Sequence, residues 1–460
     1  MPPKRTSKRK VATDEDHQRD LSASPSRRAK IQKVYCLIPS TVGQVFIVGN
    51  NDCGQLGLGP DAAERRKPAL IKYFNDKLPV QVEAGGLHNM VLTADGKLHS
   101  WGCNDQFALG RTSQSDGPNF ESIPAPVALP DHIIIAKVAC GDSSTAALTQ
   151  DGFVYSWGTF RNATGIFGLT PEKEVQETPL LLDGLKKVVD IVAGFNHFIA
   201  ITDDRKLWSW GIGEQGQLAR KIQQRHTVMS SLTPRSITFK APHATDKTFF
   251  GAFAGAYHSV FIPNTGSACS VGWNNWGQLG NGMRNDREAQ DSPQEVLNVG
   301  KLVGGAAGEH HSLFLDNQGR VWACGRNETH QLGYDTPVTD EQGHIIDPDN
   351  VEQSCSTKPH LVQFPFNPFL QPPPRVVSVS ANNEFSLAVT DEPQNNIFFW
   401  GDGQSHQLCN QQEDDDDDDG ISDGKDEPFP FRPNLKGRKV IQASAGGQHT
   451  VLLLAPKAMG

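Results

Sequence analysis

The chain has 460 residues, is 37% hydrophobic and 21% charged, and carries a formal net charge of −9. No stretch approaches the roughly 18 apolar residues that a membrane-spanning helix needs, and the charged N-terminus has no apolar core of a secretory signal. Eight scattered cysteines without a C-x-x-C or C-x-x-H pair argue against a disulfide framework and a zinc site, and suit reduced thiols in the cytosol or nucleus.

The first segment, residues 1–33, holds ten Lys/Arg and four Asp/Glu among Ser, Thr and Pro. It has too little apolar surface to fold alone. Its two basic clusters, Lys4, Arg5, Lys8, Arg9, Lys10 and then Arg27, Arg28, Lys30, predict a bipartite nuclear import signal read by importin. The first cluster also predicts an arm for DNA phosphates.

From residue 34 to about residue 455 the chain is repetitive, with a period of about 53 residues. Seven copies of one element read VGNNDCGQLG, WGCNDQFALG, WGTFRNATGIFGL, WGIGEQGQLA, VGWNNWGQLG, CGRNETHQLG and WGDGQSHQLC. A second element, AGGLHNMVL in its first copy, begins each later unit. From its His column to the following Trp-Gly glycine is 14 residues in five copies, as in His88 to Gly102. The last copy, at His449, has no Trp-Gly after it; its missing partner stands at Gly49, near the other end. Such complementarity suits a ring in which the terminal strands pair and bury both sheet edges. Asp-Gly turns such as Asp95-Gly96 separate alternating apolar runs and predict hairpins. The expected fold is therefore all-β, a seven-bladed propeller closed by N- and C-terminal strands.

Within that frame, invariant columns serve the fold and variable loop positions are free to bind. The His column (His88, His197, His258, His311, His449) is expected to brace backbone, and its members are too far apart to share a metal. The Trp of Trp-Gly is expected to wedge between blades. The residues just before the His column, among them Ser143, Asn196, Tyr257 and His310, together with Asp142, are expected to ring one face. The third Trp-Gly copy departs most: Phe160, Arg161, Asn162, Ala163, Thr164 and Gly165 predict a protruding hairpin. An acidic insertion at 411–428, rich in Asp, is expected to be a solvated loop. Nucleophile-elbow, phosphate-loop and zinc-protease motifs are absent, so no catalytic chemistry is expected.

The seven repeats, the short basic tail and the third-copy hairpin resemble the regulator of chromosome condensation family. The resemblance implies a chromatin-bound exchange factor for the GTPase Ran, monomeric, nuclear, without cofactor or membrane contact. One face would hold the GTPase through Asp142, Asn196, His310 and His449, while the Phe160–Gly165 hairpin wedges at its phosphate site. Asn196 falls where the family has its rate-critical aspartate, a departure that removes a charge. The opposite face would dock on the nucleosome, with Arg220, Lys221 and Arg225 toward the acidic histone surface and the tail on DNA. Loss of Met1 would leave Pro2 as an N-terminal methylation site. The rival reading is a chromatin-binding propeller scaffold without exchange activity.

Overall fold

The computed structural model describes residues 33–111, 119–222, 228–238, 248–264, 267–336, 354–366, 373–410 and 424–457. The chain divides into two units, Met1–Lys33 and Val34–Gly460. The described part of the second unit forms seven four-stranded antiparallel sheets. In blade I, Pro79–Ala84, His88–Thr93, Leu98–Gly102 and Ala125–Pro126 pair in sequence order. Blades II to VI begin at Ile135, Val188, Phe249, Leu302 and Val376 and repeat that order. Blade VII combines the two ends of the chain: Val440–Ala445, His449–Leu454, Gln44–Gly49 and Arg65–Leu70. Gln44 pairs with Leu454 and Gly49 with His449, so the sequence complementarity of the termini is one continuous antiparallel ladder.

Each second strand runs from the His column to a hairpin turn, so these two features mark opposite faces. The hairpin-turn face receives the N-terminal segment: the Tyr35 N–H donates to the Gln150 carbonyl at 2.9 Å. The other face carries the loops after Trp-Gly.

The blades are joined by a repeated polar bracket. His311 Nε2 meets Ser386 Oγ of the next blade at 2.9 Å, and Ser386 in turn donates to the Gln331 carbonyl of the first blade at 3.0 Å. The Trp400 indole N–H donates to the same carbonyl at 2.9 Å. The same His–hydroxyl contact joins His88 to Thr145, His197 to Ser259 and His258 to Ser312. At ring closure His449 reaches Asn89 at 2.7 Å, and Asn89 donates to the Gln55 carbonyl. Closure thus uses the same chemistry as the internal junctions. The Ala-Gly glycines are required by this bracket: a Cβ on Gly85 would stand 2.3 Å from the His88 ring and 2.5 Å from the Gly141 carbonyl. Burial drives the bracing histidines down, His88 to about 4 and His197, His258, His311 and His449 to about 3, so they are neutral at pH 7.

Two junctions differ. Between VI and VII, Glu384 replaces the histidine and turns to Arg326. Between II and III, Ser144 replaces the histidine and Phe198 replaces the hydroxyl. There Phe198 stacks on Trp210, with ring centres 5.4 Å apart, and meets Phe160 at 5.7 Å with the ring planes tilted by 60°. Neither Ser144 Oγ nor Trp210 Nε1 has a hydrogen-bond partner among the described residues.

Candidate functional site

The predicted protruding hairpin is present. Phe160–Asn162 pairs with Gly165–Gly168 as a separate two-stranded sheet between the third and fourth strands of blade II. Its tip is an Asx turn: Asn162 Oδ1 accepts from the Thr164 N–H at 3.0 Å and from its hydroxyl at 2.8 Å. Arg161, Ala163, Thr164 and Ile166 are exposed. Phe160 is not part of the exposed wedge. It is fully buried against Phe198, because an aromatic root needs an apolar seat, and it anchors the hairpin instead. Ile166, on the second strand of the hairpin, is half exposed.

Two hydrogen bonds tie the hairpin to blade III. The Arg161 backbone N–H donates to Asn196 Oδ1 at 2.7 Å, and the Asn162 amide donates to Glu214 at 3.0 Å. Asn196 therefore acts on the wedge itself, through the carbonyl acceptor that asparagine and aspartate share.

Asp142 sits beside this contact. Burial raises its carboxyl, against the Ser143 hydroxyl, which donates to it, and the nearby Arg161 charge. A Cβ on Gly86 would lie 2.3 Å from Asp142 Oδ1, so a glycine on the neighbouring blade makes room for it. Farther round, His310 stacks on Tyr257, ring centres 5.3 Å apart at 27°. Burial, then the Arg326 charge, lowers His310 to about 4, so its 3.6 Å approach to Glu309 is no ion pair at pH 7. Arg161, Asn196, Tyr257 and His310 line one cavity of about 470 Å³. The structure thus brings Asp142, Asn196, His310 and the wedge together on one face.

Two expectations change. His449 is fully buried in the closing bracket with Asn89, so it cannot touch a partner directly; its neighbour Gln448 is half-buried. Arg220 is an internal brace. Its guanidinium donates to the Ser231 carbonyl at 2.9 Å and approaches those of Ser209 and Thr233, and burial lowers it to about 10. Arg111 holds the equivalent loop of blade I, donating to the carbonyls of Ser100 and Ile123. Arg220 and Lys221 also border a cleft with Phe167 of the hairpin, which puts them on the wedge side, not on the opposite face. Lys221 is exposed. Arg225, the basic tail with Lys4, Arg5, Lys8, Arg9, Lys10, Arg27, Arg28 and Lys30, Pro2, and residues 411–423 of the acidic insertion lie outside the described residues. Among the described residues no group of three His, Cys, Asp or Glu could hold a metal, and no helix is long and apolar enough to cross a membrane.

The fold and this face define a closed propeller of RCC1-like repeats, and the RCC1-like domain model matches residues 44–452. The mouse protein "Regulator of chromosome condensation" is 32% identical over 466 residues, with 100% of each chain covered. The Saccharomyces cerevisiae "Guanine nucleotide exchange factor SRM1" is 28% identical, over 79% of this chain and 79% of its own. The crystal structure of Prp20p from Saccharomyces cerevisiae, reported with its binding properties to Gsp1p and histones, superposes with a TM-score of 0.76 at 25% identity. It covers 92% of this chain and 94% of that one. The chain belongs to the regulator of chromosome condensation family.

Proposed function

We propose that this protein is a guanine nucleotide exchange factor for the small GTPase Ran, working on chromatin in the nucleus. The observation that carries the reading is the hairpin at Arg161–Ile166. It stands on the same face as Asp142, Asn196 and His310 and is held upright by the Asn196 and Glu214 hydrogen bonds, in a chain of this family.

The mechanism needs no bond chemistry. A partner that binds the nucleotide-free GTPase more tightly than the loaded one weakens nucleotide binding by the same factor. The exposed hairpin supplies that difference by occupying the space that the phosphate-binding loop and its Mg²⁺ need. The surrounding face supplies affinity common to both states. Exchange itself favours neither GDP nor GTP, so direction follows the nucleotide supply.

Chromatin attachment falls to other regions. The tail, with Lys4, Arg5, Lys8, Arg9 and Lys10, would lie on DNA phosphates, and a methylated Pro2 would add a permanent charge. The same basic clusters would engage importin.

The test is release of a fluorescent GDP analogue from purified Ran with catalytic amounts of the protein and excess unlabelled nucleotide. Multiple-turnover acceleration that disappears on deleting Ala163–Gly165 is expected. No acceleration by the folded protein would leave a non-catalytic chromatin-binding scaffold.

A further inference from the structure

The fifth Trp-Gly copy, VGWNNWGQLG, carries two tryptophans that the repeat does not need. The position of Trp273 is held by Asn50, Cys103, Thr159, Ile212, Arg326 and Asp402 in the other copies. A residue type absent from six equivalent positions is not there for the blade. Trp273 and Trp276 are both only half buried, on the face that bears the wedge.

They belong to one ordered aromatic surface. The Arg326 guanidinium lies 5.1 Å from the Trp276 ring centre and is itself fixed by Glu384, its Nη1 donating at 2.6 Å. Arg284 approaches Trp276 at 5.9 Å and donates to the Asn275 carbonyl at 2.9 Å. The Trp273 backbone N–H donates to the Tyr257 carbonyl at 2.9 Å. Trp273 and Tyr257 then wall the 470 Å³ cavity, whose other side is Arg161 and Ala163 of the hairpin. Ile212 and Ala256 add apolar lining, and Asn162, Glu214, Gln215 and Gln217 are among its polar lining.

Trp, Tyr and Arg are the residues enriched at interface hot spots, and this cavity presents Trp273, Tyr257 and Arg161 together. Its continuity with the wedge fixes the occupant: whatever protein the hairpin engages also covers this cavity. We infer that Trp273 and Tyr257 form an anchor pocket for one large apolar side chain of the GTPase, and that this pocket supplies affinity common to its loaded and empty states. This inference rests on the exchange reading and divides the labour within it. The hairpin discriminates between the two states, and the pocket does not.

The division is testable with Trp273→Ala and its conservative counterpart Trp273→Phe, each first checked for an unchanged unfolding midpoint. Binding to GDP-loaded and to nucleotide-free GTPase is measured by titration calorimetry, alongside exchange rates over a range of GTPase concentration. For Trp273→Ala the expected result is that both affinities fall by one common factor of about tenfold. The half-saturating GTPase concentration rises to match, while the maximal rate stays within about twofold. Trp273→Phe restores most of the loss. Affinities unchanged from wild type, or a loss confined to the nucleotide-free state, overturn the inference while leaving the exchange activity in place. Wild-type protein that does not accelerate release removes the exchange reading itself, and the inference with it.

Discussion

The junction between blades V and VI and the junction between blades II and III do the same structural job with opposite chemistry. At the first, His311, Ser386 and the Gln331 carbonyl form a fully buried chain of directional hydrogen bonds. At the second, Phe198 lies between Phe160 and Trp210, and Ser144 Oγ and Trp210 Nε1 go without partners. A directional bracket admits one register between blades. An aromatic stack is less demanding of angle, and it can accept a foreign side chain. That side chain is Phe160, the root of the wedge. The repeat is therefore broken on three strands at once, at Ser144, Phe160 and Phe198, for one purpose: to seat a hairpin that no other blade carries among the described residues. The difference teaches that a departure inside the core can mark a functional device on the surface above it.

Acid is the most severe way to attack the bracketed junctions while sparing the aromatic one. The five bracing histidines sit at about 3 to 4 when folded, against an ordinary value of 6.5. The unfolded chain therefore binds protons first. Their contribution is complete above pH 6.5 and is lost as pH falls toward 4, on the order of 2 kcal/mol for each histidine between pH 7 and 5. Denaturant midpoints should drop steeply over that interval, and replacing one bracket histidine should make the slope shallower. A flat profile would mean that the rings are already protonated in the folded state.

Side-chain truncation sharpens the contrast. Phe198→Ala should cost about 4 kcal/mol, since it removes a buried aromatic ring and its contacts with the Trp210 and Phe160 rings. It should also raise hydrogen exchange throughout 160–168 as the wedge loses its seat. His311→Ala should cost about 2 kcal/mol, through the cavity and the lost His311–Ser386 hydrogen bond, while Ser386 keeps its bond to the Gln331 carbonyl, and should leave wedge exchange unchanged. Equal loosening of the wedge in both variants would show that the hairpin is not coupled to its own junction.

The smallest effect is expected at Asn196. Asn196→Ala removes the acceptor for the Arg161 N–H, worth about 1 kcal/mol locally, and should expose that one amide to exchange. Asn196→Asp keeps an acceptor there and should keep the protection. Exchange rates that follow the charge at position 196 rather than the acceptor would refute the positioning role.

Much of this was legible in advance. The copy count, the ring closure at Gly49 and His449, and the hairpin at the third copy all follow from spacing, because a repeated spacing is a local property of the chain. The partners of the bracket were not legible. His88 bonds to Thr145, 57 residues on, and nothing near His88 names it. Arg220 looked like a surface cation because its loop is polar; a hint lay in Arg111, which follows the same Leu-Gly/Ala position in another copy and is buried too. His449 was read both as a brace and as a contact, and only its 0% exposure separates the two. Trp273 was visible as an extra tryptophan in its copy, but not as the wall of a cavity shared with a hairpin more than a hundred residues earlier.

Sequence by itself determined the architecture: seven similar sheets, their order, and the closing of the ring by its own ends. Alternating apolar strands separated by Asp-Gly turns can bury their surface only against copies of themselves. Tertiary structure alone decided the site. Asp142, the Arg161 hairpin, Asn196, Trp273 and His310 come from four successive blades, II to V, and only the packing of those blades brings them to one face. The physical reason is that pattern and turn chemistry act along the chain, whereas a binding face depends on distances between segments that the chain does not connect.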